Sequence, residues 1–303
     1  MSEIKINNIP VITENNGSVE LTTGTTNIGN NALVVNASGN VGVGTSSPGA
    51  KLHIVDDDNA GWLYYQYNIA DGTNFRNYRA RGTIDAPEAI LANDRLASFL
   101  AGGYGVTNSS SGFSGPNGGI SIHAAENFTN SSAGTYVVLQ TSETGTNPAG
   151  GGVERMRITS SGYVTTPYQP SFNAYLSSGQ AIAAGTWTKV NLNTTGWNVG
   201  SHFDISTHRF TAPVDGIYFL SYTVQFNTAV NGYLYTGLKV NGNNIPYGNG
   251  LRVDSFNTDN TLGHGTSYKL NTNDYVELWA YHGGGDTLGY GTVRTHMNGI
   301  LLG

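Results

Sequence analysis

Phe210-Thr-Ala-Pro213-Val-Asp-Gly216-Ile217-Tyr218-Phe219-Leu220-Ser221-Tyr222-Thr223-Val224-Gln225-Phe226 is the stretch that decides the fold of this chain. A Pro-Val-Asp-Gly turn feeds one unbroken strand. Side chains alternate across a strand, so Tyr218, Leu220, Tyr222, Val224 and Phe226 share one face. The opposite face starts apolar at Ile217 and Phe219 and turns polar at Ser221, Thr223 and Gln225. A strand that is apolar on both sides at one end lies between two apolar layers. In a small β-sandwich the second layer is often another copy of the same chain.

The surroundings of this strand extend the pattern. Asn231-Gly232 and Asn241-Gly242 are type I′ turn signals on either side of Tyr233 to Val240. Phe172-Asn-Ala174 and Trp187-Thr-Lys-Val190 precede the deciding strand. Leu238-Lys-Val-Asn241-Gly242, Leu270-Asn-Thr-Asn-Asp274-Tyr-Val276-Glu-Leu278 and His296-Met-Asn-Gly299-Ile-Leu301 follow it. In this order and spacing, residues 168–303 resemble the globular head of complement component 1q, a trimeric jelly roll related to tumour necrosis factor. The resemblance implies a TNF-like jelly-roll β-sandwich and a homotrimer, with Tyr218, Leu220, Tyr222 and Val224 in the core or trimer interface. Residues from Tyr168 onward hold a complete strand set and their own core, and are expected to fold and trimerise on their own. No collagen Gly-X-Y stalk is present, which removes the animal defence-collagen reading.

Composition agrees with an all-β protein of two or three domains. Charged residues make up only 11% of the 303 residues, and Leu, Lys and Glu are scarce, which removes the best helix formers. Tyr, Val, Thr and Ile favour strands. A formal net charge of −6 argues against nucleic acid as a partner. There is no cysteine, hence no disulfide or thiolate metal site. Met1-Ser-Glu-Ile-Lys-Ile6 has no apolar signal core, and no apolar run reaches membrane-spanning length, so membrane insertion is not expected. Sequons at Asn36, Asn108, Asn127, Asn130 and Asn193 then reflect the abundance of Asn, Ser and Thr in a chain made in a reducing cytoplasm.

Residues 1–58 hold short apolar runs: Ile4-Lys-Ile6, Ile9 to Ile12, Val19 to Leu21, Leu33 to Val35, Val41 to Val43 and Leu52 to Val55. Each is too small to build a core from one chain, and their regular spacing speaks against disorder. An intertwined trimeric β shaft that also attaches to a particle resolves the burial problem. Val35-Asn-Ala-Ser-Gly39-Asn-Val41 is echoed by Ile158-Thr-Ser-Ser-Gly162-Tyr-Val164, with Gly17-Ser-Val19 a looser copy. That marks one structural unit used twice, short of a solenoid. Gly39-Asn-Val-Gly-Val-Gly-Thr-Ser-Ser-Pro48-Gly-Ala-Lys51-Leu-His-Ile54 resembles a motif of bacteriophage tail-fibre and related virion proteins. A nucleotide loop is disfavoured, because no helix former follows and no Gly-Lys-Ser/Thr ends it.

Residues 59–165 read as a middle β-rich module. Strand-like pieces run from Trp62 to Tyr67, Phe75 to Arg81, Ile90 to Leu100, Gly119 to Ala124 and Tyr136 to Thr141. Arg79-Ala-Arg81-Gly82-Thr83, Pro87, Asn93-Asp94 and Glu154-Arg155-Met156-Arg157-Ile158 resemble a module of phage fibres. Ala86 to Ala97 has spacing that also fits a short helix. Gly102 to Gly119 reads as a flexible loop.

Candidates for chemistry are few. His202 and His208 lack the i, i+4 spacing of a zinc site and read as ordinary surface or hydrogen-bonded histidines. Asp56-Asp57-Asp58-Asn59 lacks the remainder of an EF-hand loop and reads as a solvated turn. Heads of the resembled family sometimes hold calcium, which makes Asp254, Asp259 and Asp286 weak candidates, but no metal or cofactor is expected. Glu277 shares a strand face with Trp279 and Tyr281, and as an exposed acid beside two aromatics suits sugar stacking better than hydrolysis. No Gly-x-Ser-x-Gly elbow exists. Tyr presents a flat apolar ring with a hydroxyl, which suits glycans and protein surfaces alike. The receptor-binding candidates are therefore Trp197, Tyr247, Trp279, Tyr281 and Tyr290.

These readings converge on a non-catalytic virion fibre protein, a homotrimer bound to the phage tail or capsid through its N-terminus. Its head would recognise a host surface glycan or outer-membrane protein. A capsid-surface decoration without a specific receptor is the alternative, and a capsule depolymerase the third.

Overall fold

The computed structural model describes residues 4–6, 9–15, 18–20, 26–28, 33–55, 76–103, 117–146, 152–227, 233–249 and 260–303. The chain divides into two compact units, Met1–Arg76 and Asn77–Gly303. The protein is all-β, and no helix occurs among the described residues.

In the first unit, Ile4–Ile6, Ile9–Asn15 and Ser18–Glu20 form one antiparallel sheet. Thr26–Ile28, Leu33–Val35, Val41–Val43 and Leu52–Ile54 form another, in which the last two strands run parallel. Val34 is buried, whereas Leu33, Val43, Leu52, Ile54 and Val55 remain 36–53% exposed. Among the described residues of this unit, only Val34 of these apolar side chains is buried. Gly44 has a φ of +72°, and a Cβ there would collide with the Val55 carbonyl, so the glycines of this motif serve a tight crossover. Asp56 to Asn59 and Trp62 to Tyr67 lie outside the described residues.

The sequence echo is a shared hairpin. Val35 pairs with Val41 and Ile158 with Val164. Gly39 and Gly162 both have positive φ, 69° and 82°. Their amides donate to Asn36 O and Thr159 O, each at 2.9 Å. The side-chain oxygens of Asn36 and Thr159 accept the amides of Asn40 and Tyr163.

The second unit opens with a five-stranded antiparallel sheet in the order Arg95–Ala101, Gly118–Ala124, Thr135–Thr141, Val153–Ile158, Val164–Thr165. Residues 104–116, most of the Gly102 to Gly119 loop, lie outside the described residues. Ala86 to Ala97 is not helical: Pro87–Glu88 pairs with Arg81–Gly82, and Asn93 turns the chain at a φ of 69°. Proline forces its neighbour out of helical conformation. Asp94 then fixes the turn, accepting Leu91 N–H and gripping the Arg81 guanidinium at 2.7 and 3.2 Å. Arg157 pairs with Glu154 at 2.6 Å and lies 4.2 Å above the Tyr136 ring.

Residues 171–301 form two packed antiparallel sheets. The first runs Gln180–Ile182, Asp286–Leu288, Gly216–Phe226, His296–Leu301, Ser171–Tyr175, Thr194–Val199, with Asn260–Leu270 on the free side of Gly216–Phe226. The second runs Phe203–Asp204, Arg209–Thr211, Tyr275–His282, Leu234–Val240, Asn243–Asn249, and Thr188–Lys189 also pairs with Tyr275–His282. The chain crosses repeatedly from one sheet to the other, as in a jelly roll. Tyr218, Leu220, Tyr222, Val224 and Phe226 are buried between the sheets against Phe210, Leu234, Leu238, Val276, Leu278 and Ala280. Phe172 stacks on Phe210 at 4.6 Å, and Tyr218 meets Phe210 edge-on. Buried hydroxyls find partners: Tyr218 donates to Val214 O, and Tyr222 accepts from Thr236. Asn241 and Gly242 have φ of 51° and 80°, as a type I′ turn requires. Asn231-Gly232 lies outside the described residues.

Candidate functional site

The two sheets of the sandwich turn different chemistry outward. On the seven-stranded sheet, strand alternation sends Ile217 and Phe219 away from the core that Tyr218 and Leu220 fill. Phe219 pairs with Ile300, and both are exposed. Trp197, 53% exposed, belongs to this face as well, because it pairs with Asn173. Asn173 in turn donates to Asn298 at 2.7 Å. Trp197 thus sits in a strand rather than in a loop. Gly196 beside it lies against the Asn173 side chain, where a Cβ would meet Asn173 Oδ1.

On the six-stranded sheet the outward residues of Tyr275–His282 are Tyr275, Glu277, Trp279 and Tyr281. Those of Leu234–Val240 are Tyr235, Gly237 and Lys239, paired with Tyr281, Trp279 and Glu277 respectively. Four rings gather at one end. Tyr235 lies 5.6 Å from Tyr281, 5.8 Å from Tyr233 and 6.1 Å from Trp187, and Trp187 lies 6.0 Å from Tyr281. Trp187 and Tyr233 are exposed, while Tyr235 and Tyr281 are half-buried. Next to them Gly237 pairs with Trp279, and Lys239 Nζ lies 3.7 Å above the Trp279 ring.

Glu277 is not an exposed acid. It is 3% exposed and accepts from Arg209 Nε at 2.7 Å, Lys189 Nζ at 3.3 Å and Trp279 Nε1 at 3.1 Å. Burial pushes its carboxyl up, but the hydrogen bonds from Arg209, Trp279 and Lys189 outweigh that and hold it below the usual carboxylate range. Its oxygens are committed to a clamp that orients Trp279. Because the folded pKa is depressed, this stabilisation is present above the unfolded value near 4.5 and is lost as pH falls through the folded value. Glu277→Gln is expected to cost about 1–3 kcal/mol at pH 7, as loss of charged hydrogen bonds does. Urea melts at pH 7 and at pH 3 should show the parent losing more stability on acidification than the variant.

Of the sequence candidates, Trp279 and Tyr281 share the aromatic face. Trp197 lies on the other sheet, Tyr290 is exposed in the turn after Leu288, and the Tyr247 side chain lies outside the described residues. Trp187, Tyr233, Tyr235 and Lys239 complete the face. The alternation of Tyr233, Tyr235 and Lys239 was the available signal, but Trp187 needed the pairing of Thr188–Lys189 with Tyr275–His282. His208 Nδ1 meets Leu192 O at 3.0 Å, and burial lowers the His202 pKa. Asp286 accepts the amides of Asn227 and Thr287. Asp254 and Asp259 lie outside the described residues, and no group of three metal-ligating side chains occurs among the described ones.

Residues 171–283 match the C1q domain family. The C-terminal region is a C1q/TNF-like jelly roll. A curated relative, the uncharacterised protein YqcC of Bacillus subtilis (strain 168), is 32% identical over 110 residues, covering 33% of this chain and 30% of that protein. The match thus spans about a third of that relative's length. Among solved structures, the globular domain of zebrafish complement 1qA is 20% identical over 45% of this chain and 98% of that one, with a TM-score of 0.36. Murine APRIL is 12% identical over 44% of this chain and 99% of that one, with a TM-score of 0.36. The C-terminal domain of the bacteriophage T5 L-shaped tail fibre is 16% identical over 45% of this chain and 58% of that one, with a TM-score of 0.37. The C1q/TNF-like assignment rests on the family match and the strand order.

Proposed function

We propose that this chain is a trimeric, non-catalytic receptor-binding fibre of a bacteriophage particle. Residues 168–303 form the head, residues 59–165 the middle module, and residues 1–58 the shaft and attachment to the tail or capsid. The observation that carries the binding role is the ring cluster of Trp187, Tyr233, Tyr235 and Tyr281 on the outward face of the six-stranded sheet. Amphipathic rings tolerate water when free and stack on the C–H faces of sugars or on protein surfaces when occupied. The apolar Ile217, Phe219 and Ile300 face on the opposite sheet, which carries no hydroxyl or amine, is the side suited to dry contact between chains. A trimer then displays three ring clusters outward, and linked weak sites bind a repetitive surface far more tightly than one. The ligand is a host surface glycan or outer-membrane protein. The virion setting is supported by the resemblance of Gly39 to Ile54 to virion fibre motifs.

The test compares parent, Trp187→Ala and Tyr281→Ala proteins for binding to host cells and to isolated surface polysaccharide, with thermal melts alongside. Each variant should stay folded and lose binding by on the order of tenfold or more, the loss being multiplied over linked sites. Folded variants that bind as the parent does would remove the ring cluster from the reading. A parent protein that does not compete with virions for host cells would make it a decoration protein. Release of sugar from the polysaccharide would make it a depolymerase.

A further inference from the structure

The ring cluster continues into a band of positive charge. Outward residues on a strand recur about every 7 Å. One step along from Tyr281, Trp279 pairs with Lys189. One step further, Glu277 pairs with Lys239 and accepts from Arg209. Rings and cations thus form one strip across the six-stranded sheet.

The charge that a ligand meets on this strip is positive. Glu277 is buried, whereas the Lys189 and Arg209 side chains that hold it remain partly exposed. Arg209 gives Glu277 its Nε, and its two terminal nitrogens carry no hydrogen bond among the described residues. Lys239 forms no ion pair among them, and its ammonium rests on the Trp279 ring. The other carboxylate on the strands of this sheet is Asp204, opposite Arg209. Its oxygens accept from Ser206 and Thr207. The described cations of residues 168–303 are Lys189, Arg209, Lys239, Lys269 and Arg294, and the first three lie here. In a chain of net charge −6 this is a local concentration that a neutral ligand would not use.

The same strip argues against a protein as the ligand. Protein interfaces keep Lys out of their dry centre, yet here Lys239 lies on one ring and Lys189 pairs with it. The strands turn no aliphatic side chain outward among the described residues, only rings, cations and small or polar groups. Aromatic faces suit the C–H faces of sugars, and Arg and Lys form charge-assisted bonds to carboxylates. We propose that this face binds an acidic polysaccharide, its sugar rings on Trp187, Tyr235 and Tyr281 and its carboxylates against Lys239 and Arg209. The inference rests on the ring cluster being the binding face and adds the class of glycan.

The full-length protein is tested on two hexuronate polymers, alginate and hyaluronan, and on each after its carboxyl groups are reduced to neutral alcohols. Parent, Lys239→Gln, Lys239→Arg and Trp187→Ala are compared, with thermal melts alongside. Lys239 makes no hydrogen bond among the described residues, so its replacement leaves the sandwich folded. The parent should bind an acidic polymer about tenfold or more tighter than its reduced form, because charged partners are lost on reduction. High salt should shrink that preference by screening. Lys239→Gln should lower the preference about threefold, the scale of one exposed charge pair, and Lys239→Arg should keep it. Trp187→Ala should weaken binding to both forms. Equal binding to acidic and reduced polymers, or a preference indifferent to Lys239→Gln, overturns the acidic ligand. A loss in Trp187→Ala would then leave the ring cluster standing. A parent that binds neither polymer overturns it as well, and the host-cell comparison alone then judges the ring cluster. Trp187-dependent binding to host cells stripped of polysaccharide would make the ligand a protein and overturn it too.

Discussion

A fragment of residues 168–303 will sediment as three chains, and the same fragment carrying Phe219→Asp and Ile300→Asp will sediment as one folded chain. The mass should fall about threefold, since closed symmetry leaves no intermediate ring. Phe219 and Ile300 are cross-strand partners on the outward face of the seven-stranded sheet, and neither contributes to the buried core of its own chain. Their loss therefore leaves the sandwich intact. Two carboxylates per chain pressed into an apolar contact cost several kcal/mol each, more than such a contact returns. Circular dichroism confirms folding in the same samples. A variant fragment that remains trimeric would place the chain contact elsewhere, and a parent fragment that unfolds would show that the head depends on the preceding module.

The second large effect is expected at Gly299. This residue pairs with Phe172 on one side and Leu220 on the other, so it lies between two fully buried side chains. A Cβ there would collide with the Phe172 ring and come within 3.0 Å of Leu220 Cδ2. Gly299→Ala is expected to destabilise the head by about 1–3 kcal/mol through overpacking. Leu220→Ala alone should cost about 2–5 kcal/mol through the cavity it leaves. The two changes act on one space, so the double variant should be more stable than the sum of the single losses predicts. Urea melts of the four proteins read this directly. Strict additivity would show that Gly299 and Leu220 do not share that space.

How much of this was legible in the sequence depends on how local each cause is. The Gly216–Phe226 strand was readable because its alternation is strict and its flanking turn is made of short-range signals. The paired hairpins at Gly39 and Gly162 were readable for the same reason, since each closes on itself within seven residues. Ala86 to Ala97 was ambiguous because a short apolar run fits either period, and the deciding grip of Asp94 on Arg81 comes from outside it. Glu277 looked exposed from its strand alone. Its partners Lys189 and Arg209 lie 88 and 68 residues earlier, and only the folded sheet brings them to the carboxylate. The same limit hid Trp187 from the ring cluster and moved Trp197 to the opposite sheet. Periodicity shows which residues share a face, but not which distant strand lies beside them.

The two hairpins have a consequence for how such a chain can be rearranged. Each is held shut by its own amides and by the oxygen of a single Asn or Thr side chain, with glycine alone taking the left-handed position. The Gly39 turn is also held by Lys51 and Pro48 of the following segment, which bond Ser38 O and Asn40, whereas the Gly162 turn closes on its own residues. The turn at Gly162 therefore acts as a neutral join, nine residues ahead of the Ser171–Tyr175 strand. A different terminal domain can be grafted there without disturbing the strand that leads in, while replacement of Gly162 by a β-branched residue would spoil the join for every graft alike.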